Sequence, residues 1–310
     1  IRRQPANLED IRRPIAFLRS HDLLGCYRVD PPKPKQRNAA WRAAENRRRA
    51  ERLAWGIAEF GGRDPGQIAF AELGNEPDLP FFWSGEMRSY HAAMNVLAKA
   101  AQEAKKAADL PPKSVIVMNG GLSFAGATGD KRAREFLELL DPTVLDAIAY
   151  HAHGAGIEAE RHAYHRVKNA AAQAGITALP FVDTETGVSG KSEVGLIEQA
   201  RTVVEKFTFA RSVGMPSLFY FRLFMEGDRG YGMTDNRTEP RPSVLAYRNL
   251  VDVLRGKRFV KAIDFAAAGN AAVTAHLYRD ANGETGEWAL LAVAEEPATY
   301  ELSLKLAEAG

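Results

Sequence analysis

The chain has 310 residues, 45% of them hydrophobic and 26% charged, with a formal net charge of +2. That length can bury a sizeable core as one α/β barrel domain, and so small a net charge argues against nucleic acid or an anionic membrane as the main partner. No apolar run approaches the ~18 residues that suggest a membrane span, and Cys26, the single cysteine, excludes an internal disulfide.

Residues 7–20 are expected to be helical, and Leu24–Val29 a strand. A loop, Pro31-Pro32-Lys33-Pro34, leads into a helix over 38–60, where Ala50, Leu53, Ala54, Ile57 and Ala58 form one apolar face. Arg47-Arg48-Arg49 lies on this helix beside Glu45 and Glu51, and reads as a solvated face. Strand Ile68–Leu73 follows, then helix 88–108. The cycle repeats as strand Ser114–Met118 with helix 130–140, strand Leu145–Tyr150 with helix 156–174, and strand Leu179–Val182 with helix 192–213. A last strand, Ser217–Phe221, precedes a helix over Ser243–Arg255 that Gly256 is placed to cap.

Such alternation is the pattern of a parallel sheet with crossover helices. Six strand–helix units are expected. In a (β/α)8 TIM barrel the first two strand–helix units would then be missing, upstream of Ile1. The opening on Ile1 and the stop at Gly310, straight after a strand-like segment, read as a piece of a longer protein. After Gly256 the period changes. Phe259–Phe265, Ala272–Tyr278 and Glu287–Val293 read as strands, with Asn282-Gly283 as a hairpin turn. The expected domains are 1–256, an N-terminally incomplete barrel, and 257–310, a partial all-β accessory domain that starts a small β-sandwich.

Two strings carry the chemistry, Gly74-Asn75-Glu76-Pro77 and Asp183-Thr184-Glu185-Thr186-Gly187. Each follows a short apolar run, so each puts a glutamate where a strand ends and a loop begins. A lone glutamate there is ordinarily just a polar strand end. Two of them suit glycoside hydrolysis if their strands neighbour in space, one carboxyl as acid and the other as nucleophile or base. Pro77 pushes Glu76 out of the helical region, which predicts an extended backbone at the barrel mouth, where such folds place their chemistry. Asn75 is placed to hydrogen-bond a sugar hydroxyl. Asp183 and Glu185, two apart on a strand, should share a face, and Gly187 lets the following loop turn sharply.

Leu73-Gly74-Asn75-Glu76-Pro77-Asp78 resembles the fourth-strand acid/base motif of glycoside hydrolase clan A, and Thr184-Glu185-Thr186-Gly187 resembles its seventh-strand nucleophile motif. Within the clan the chain looks closest to families 39 and 79, the xylosidase/iduronidase and glucuronidase/heparanase groups. The resemblance spans residues 65–255 and includes Tyr231-Gly232-Met233 and the Pro242–Gly256 helix. It implies a (β/α)8 barrel with an appended β-sandwich, a retaining double displacement, a carbohydrate substrate and no cofactor. It also favours a secreted or periplasmic location. The same resemblance makes Glu76 the acid/base, Glu185 the nucleophile and Asn75 the substrate contact beside the cleaved bond. Glu76 should then stay protonated while Glu185 is ionised, helped by a low-dielectric mouth and the charge of Glu185.

The chain departs from that pattern in Tyr150-His151-Ala152-His153. Family members often show His-x-Tyr here, with the tyrosine orienting the nucleophile. His153 takes its place and could still donate to Glu185. His-x-His also suits a metal-dependent hydrolase built on His151, His153 and Asp183. The later strands offer no further histidine, however, and His162 and His165 fall on an outer helix, so no metal is expected. A non-catalytic carbohydrate-binding barrel is the third reading.

Sugar sites need flat faces. Phe81, Phe82 and Trp83 lie in the loop after Glu76, and Phe219, Tyr220, Phe221 and Phe224 on or after the last barrel strand. Three aromatics in one loop more often pack as a lid than form a stacking platform. Trp83 is the leading substrate contact, joined by His151, His153, Tyr220 and Phe221. Alternation pairs Phe219 with Phe221 on one face and Tyr220 with Arg222 on the other, and leaves open which faces the barrel axis. Glu226 could also reach the mouth. Trp41 and Trp55 are expected in the core. The arginine that clan members carry on the second strand has no counterpart, since that strand is absent from the sequence.

Overall fold

A computed structural model describes residues 9–20, 22–35, 38–223, 230–235, 239–264, 273–282 and 286–294. Phe224, Glu226 and Gly283 lie outside these described residues. Two compact units are present, each with its own core. One runs to Val188 and takes in Met215–Phe221, and the other comprises Ser189–Gly214 and the residues from Arg222 on.

In the first unit, α1 (Glu9–Ser20) precedes β1 (Gly25–Arg28), α2 (Ala39–Phe60), β2 (Ile68–Leu73), α3 (Met87–Ala107) and β3 (Ile116–Asn119). Then come α4 (Gly126–Leu139), β4 (Ile148–His153), α5 (Gly156–Gln173), β5 (Phe181–Gly187) and β6 (Leu218–Tyr220). The strands pair in parallel as β1-β2-β3 and β4-β5-β6. Parallel bridges Met118↔Ala147 and Leu122↔Tyr150 link the two triplets.

This sheet curls. Phe70 on β2 and Phe219 on β6 meet edge to face with ring centroids 5.1 Å apart. Neighbouring strands are spaced about 4.8 Å, so four such steps in a flat sheet would hold the two rings well apart. Both rings pack on Ile116, Met118, Ala147, Ala149 and Val182, the apolar core of the inner face. β1 and β6 are the edges among the described residues, and no pairing between them closes a barrel.

Local chemistry explains the helices. The Asn38 side chain caps α2 by accepting from the Trp41 N–H at 2.9 Å. The buried stripe of α2 is Asn46, Ala50, Leu53, Gly56 and Ile57. It is rotated from the expected face, which leaves Ala58 exposed. Trp41 and Trp55 are half-buried rather than core, because they flank this stripe. Arg48 and Arg49 pair with Glu45, but Arg49 and Glu45 are only 16% and 17% exposed and Arg49 also donates to the Asp30 carbonyl, so this face is solvated only in part.

The second unit holds α6 (Glu193–Ser212), α7 (Pro242–Leu254) and the antiparallel strands β7 (Lys257–Asp264), β8 (Val273–Asp280) and β9 (Trp288–Ala294). Gly256 follows α7 at φ +68°, the left-handed conformation that glycine adopts without strain. Leu250 and Leu254 of α7 and Tyr278 of β8 form the core of this unit. Its described strands make one three-stranded sheet, and a second, facing sheet is not among the described residues. No described helix is long and apolar enough to cross a membrane.

Candidate active site

Side chains alternate along β2, so Phe70 and Glu72 share the inner face, Phe70 in the core and Glu72 two residues nearer the strand's C-terminal end. The chain then turns through Gly74 at φ +125° and Glu76 at φ +41°. Glu76 is therefore left-handed and not extended as the sequence suggests. Pro77 disfavours only the right-handed helical region for its predecessor, and tertiary contacts select among the rest. The Glu76 N–H donates to the Gly121 carbonyl, and the Glu76 carbonyl accepts from Leu79 N–H, both at 3.0 Å.

Such a backbone costs on the order of 1–3 kcal/mol in a non-glycine residue and persists only when its surroundings hold it. Here they do. Arg132 on α4 donates to the carbonyls of Asp78 (3.1 Å), Pro77 (3.2 Å), Trp83 (2.7 Å) and Gly85 (2.9 Å). The fully buried Asp78 carboxylate accepts from Ser123 N–H at 3.1 Å and Phe124 N–H at 2.8 Å. Burial raises that carboxyl to about 6, against the lowering effect of the two backbone donors.

Glu185 is fixed differently. β5 runs on through the polar motif to Gly187, so Glu185 stands within the strand, paired in register with His151 of β4. The register slips between Tyr150 and His151, which makes Thr184 the extra residue of a bulge. Strict alternation fails there. Thr184 and Glu185 both reach the same polar cluster, while Asp183 is fully buried and accepts from the Glu185 N–H at 3.0 Å. The expectation that Asp183 and Glu185 share a face is corrected by that bulge.

His151 is the hub. Its side chain is 2% exposed, with Nδ1 3.0 Å from Glu76 Oε1 and Nε2 3.9 Å from both Glu185 Oε2 and Glu72 Oε1. His153 Nε2 lies 3.7 Å from Glu185 Oε1. Glu72 Oε1 also accepts from Thr184 Oγ1 at 2.7 Å and Gly121 N–H at 3.0 Å. Burial disfavours charge on His151, but the nearby charge of Glu72, the hydrogen bond to Glu76 and the charge of Glu185 prevail and raise it to about 10. Burial also pushes the Glu185 carboxyl up, with His151 opposing and Glu76 adding. The His151 ring is thus flanked by the carboxyl groups of Glu72 on β2, Glu76 on the following turn and Glu185 on β5.

Two glycines make room for this. A Cβ on Gly121 would lie 2.1 Å from His151 Nε2 and 2.8 Å from Thr184 Oγ1. One on Gly120 would lie 2.5 Å from the Gly74 carbonyl carbon.

This chain shares its fold with glycoside hydrolases. A family 39 glycoside hydrolase from the gut symbiont Bacteroides cellulosilyticus WH2 matches with a TM-score of 0.62 at 14% identity, over 95% of this chain and 69% of that one. A glucosidase from Croceicoccus marinus matches with a TM-score of 0.59 at 13% identity, over 85% and 59%. Native xylanase 10B from Thermotoga maritima gives 0.52 at 14% identity, over 80% and 81%. The chain thus spans about two thirds of the first two structures. No protein-family profile and no curated protein sequence matches the chain. The likeness is one of fold, α/β with a parallel sheet, and it is the clan that the motifs resemble.

On this glycoside hydrolase fold the remaining expected residues divide. Asn75 Oδ1 accepts from Arg28 Nη1 at 2.7 Å, which brings a β1 guanidinium beside the glutamates. The Phe221 ring stands edge-on to His153 at 5.8 Å. Phe219 is in the core, so the inner face is the Phe219 and Phe221 face, while the Tyr220 hydroxyl accepts from Val188 N–H at 3.4 Å. Trp83 is not brought to the cluster. It is 5% exposed, lies edge-on to Tyr90 at 5.4 Å, and its Nε1–H donates to the Glu86 carbonyl at 3.2 Å. Phe81, 83% exposed, is the open ring of that loop. For a metal, Asp183 is turned into the backbone and His162 and His165 are exposed on α5. Among the described residues no group of three or more His, Cys, Asp or Glu is arranged to hold an ion.

Sequence reasoning gave no role to Glu72, Thr184, Gly121, Arg28, Asp78 and Arg132, although Thr184 and Asp78 lie in the quoted motifs. Two of the others left a local signal. Glu72 is a charge inside an apolar strand, and Gly120-Gly121 is a pair of glycines at a strand end.

Proposed function

We propose that the chain is a retaining glycoside hydrolase that cleaves an oligo- or polysaccharide by double displacement. One observation carries the reading. A single imidazole, His151, touches Glu76 Oε1 at 3.0 Å and approaches Glu185 Oε2 to 3.9 Å, so the two motif carboxylates flank one ring. Retention uses carboxyl groups about 5–5.5 Å apart and inversion about 6.5–9.5 Å, and the choice of retention here follows the resemblance of the two motifs to clan A, not these contacts. The shared fold with glycoside hydrolases supports the class.

Glu185 attacks the anomeric carbon as Glu76 gives its proton to the departing oxygen. This forms a glycosyl ester on Glu185. Glu76 then takes a proton from water, whose oxygen displaces Glu185 and restores both groups. No cofactor enters these steps. Asn75, His153 and Phe221 are assigned to the sugar. Tyr220 and Trp83 support the surrounding loops. Residues 1–256 are read as the catalytic barrel, and 257–310 as its accessory domain.

Trapping with a 2-deoxy-2-fluoro glycoside tests this reading. A covalent adduct mapped by mass spectrometry to Glu185, with retained configuration in the turnover product, is the expected result. An adduct elsewhere, or an inverted product, refutes the mechanism. Sugar binding without turnover, unchanged by Glu185→Gln, refutes the enzyme.

A further inference from the structure

Double displacement uses two carboxylates, yet this site contains a third. Glu72 is 5% exposed in a strand that is otherwise apolar. A buried carboxylate costs several kcal/mol unless its partners are good, and beside two reacting carboxylates it adds repulsion. Its Oε1 is nonetheless held by two donors, Thr184 Oγ1 on β5 and the Gly121 N–H after β3, and faces His151 Nε2 on β4 at 3.9 Å.

The hydrogen-bonding inventory of imidazole explains why. A neutral ring carries one N–H. If that proton were on Nδ1, facing Glu76, the Nε2 lone pair would face Glu72 and Glu185. If it were on Nε2, the Nδ1 lone pair would meet Glu76 Oε1 at 3.0 Å. With Glu76 Oε1 as an acceptor, whether Glu76 is ionised or carries its proton on the other oxygen, toward the leaving group, only the doubly protonated ring donates on both sides.

We infer that Glu72 is a positioning residue: anchored by Gly121 and Thr184, it holds His151 as a cation whose Nδ1–H orients Glu76. The charged or titratable groups around that ring are Glu72 on β2, Glu76 on the following turn, Glu185 on β5, His153 on β4 and, acting through Glu185, Arg28 on β1. Glu72 differs from the other two glutamates in being tied to a backbone N–H and a hydroxyl donor. The catalytic consequence rests on the glycosidase reading, and the charge on His151 does not.

The test is Glu72→Gln in the full chain, with two readouts. Ring 15N shifts of His151, followed from about pH 5 to about pH 11, report its charge directly. The pH profile of kcat/KM on an activated aryl glycoside reports the catalytic consequence. Both ring nitrogens should be protonated at neutral pH in the parent chain. In Glu72→Gln the midpoint should fall by about one to three units, the usual effect of one nearby charge. The alkaline limb of kcat/KM should move with it while KM holds. Glu72→Asp should restore the cation.

A neutral His151 ring in the parent chain at neutral pH overturns the inference, and this needs no variant to fold. An unchanged midpoint in Glu72→Gln overturns it too. If Glu185→Ala abolishes activity while Glu72→Gln leaves both readouts unmoved, positioning fails and the glycosidase stands. If the midpoint falls but the parent chain cleaves no glycoside, the glycosidase reading fails and the charge role stands.

Discussion

The two glutamates of the site are held by opposite means. Glu185 sits inside β5, its place set by parallel register against His151 and a bulge at Thr184. Glu76 sits in a left-handed turn beyond β2, kept there by Arg132, Asp78 and the Gly121 carbonyl. A strand positions a side chain through ladder hydrogen bonds that the sheet makes anyway. A turn with positive φ has no such ladder and depends on a few side chains from a neighbouring helix and loop. Damage at the Glu185 end should therefore be chemical, whereas damage at the Glu76 end can also be geometric and remote.

The largest effect should come from Glu185→Ala, which removes the nucleophile from an intact strand. Its kcat should fall by on the order of 10⁴–10⁶, with the melting curve unchanged and azide restoring part of the rate. Substantial activity without azide would dissolve the comparison. Glu76→Ala should cost about 10²–10⁴ on substrates with poor leaving groups and far less on activated aryl glycosides. Equal losses on both substrates would deny Glu76 its acid role.

Gly121→Ala joins the two ends, because its methyl would collide with His151 and Thr184 together. Overpacking of this kind costs about 1–3 kcal/mol, to be read from the urea midpoint, and turnover should fall for every leaving group. Arg132→Met strips the common donor from four carbonyls of the Glu76 loop. Stability should drop by about 1–3 kcal/mol, as for buried acceptors left unmade. The kinetic loss should follow the Glu76 pattern, heavier on poor leaving groups. A loss blind to the leaving group would show that the clamp does not act through Glu76.

The smallest effect is a slope. The Asp78 carboxyl is raised to about 6 in the folded chain, above the value of about 3.9 for a free aspartate. Below the unfolded value both states hold the proton and its stabilising contribution is complete. As pH rises through the folded value, a buried carboxyl must ionise and the contribution is lost. Unfolding free energy should thus decline between about pH 4 and about pH 6, and Asp78→Asn should flatten that stretch. An unchanged slope in the variant would assign it to another group.

The contrast between the two ends also explains what was legible in advance. β2 is bounded as expected at Ile68–Leu73, since an apolar run between turn residues is a local signal. β5 is not, because Asp183-Thr184-Glu185-Thr186-Gly187 reads as a polar loop until its pairing with β4 is known. Trp83 stood out as an aromatic beside Glu76, yet it packs on Tyr90. Whether a loop aromatic faces solvent or core depends on what lies beneath the loop.

Composition, hydrophobic period and the two glutamate motifs are local properties of the chain, and they suffice for the strand–helix alternation and for naming Glu76 and Glu185. The third carboxylate, the charge on His151, the left-handed backbone at Glu76 and the clamp by Arg132 join residues far apart in sequence. Each depends on which groups meet when the sheet curls, and neither period nor spacing along the chain encodes such a meeting.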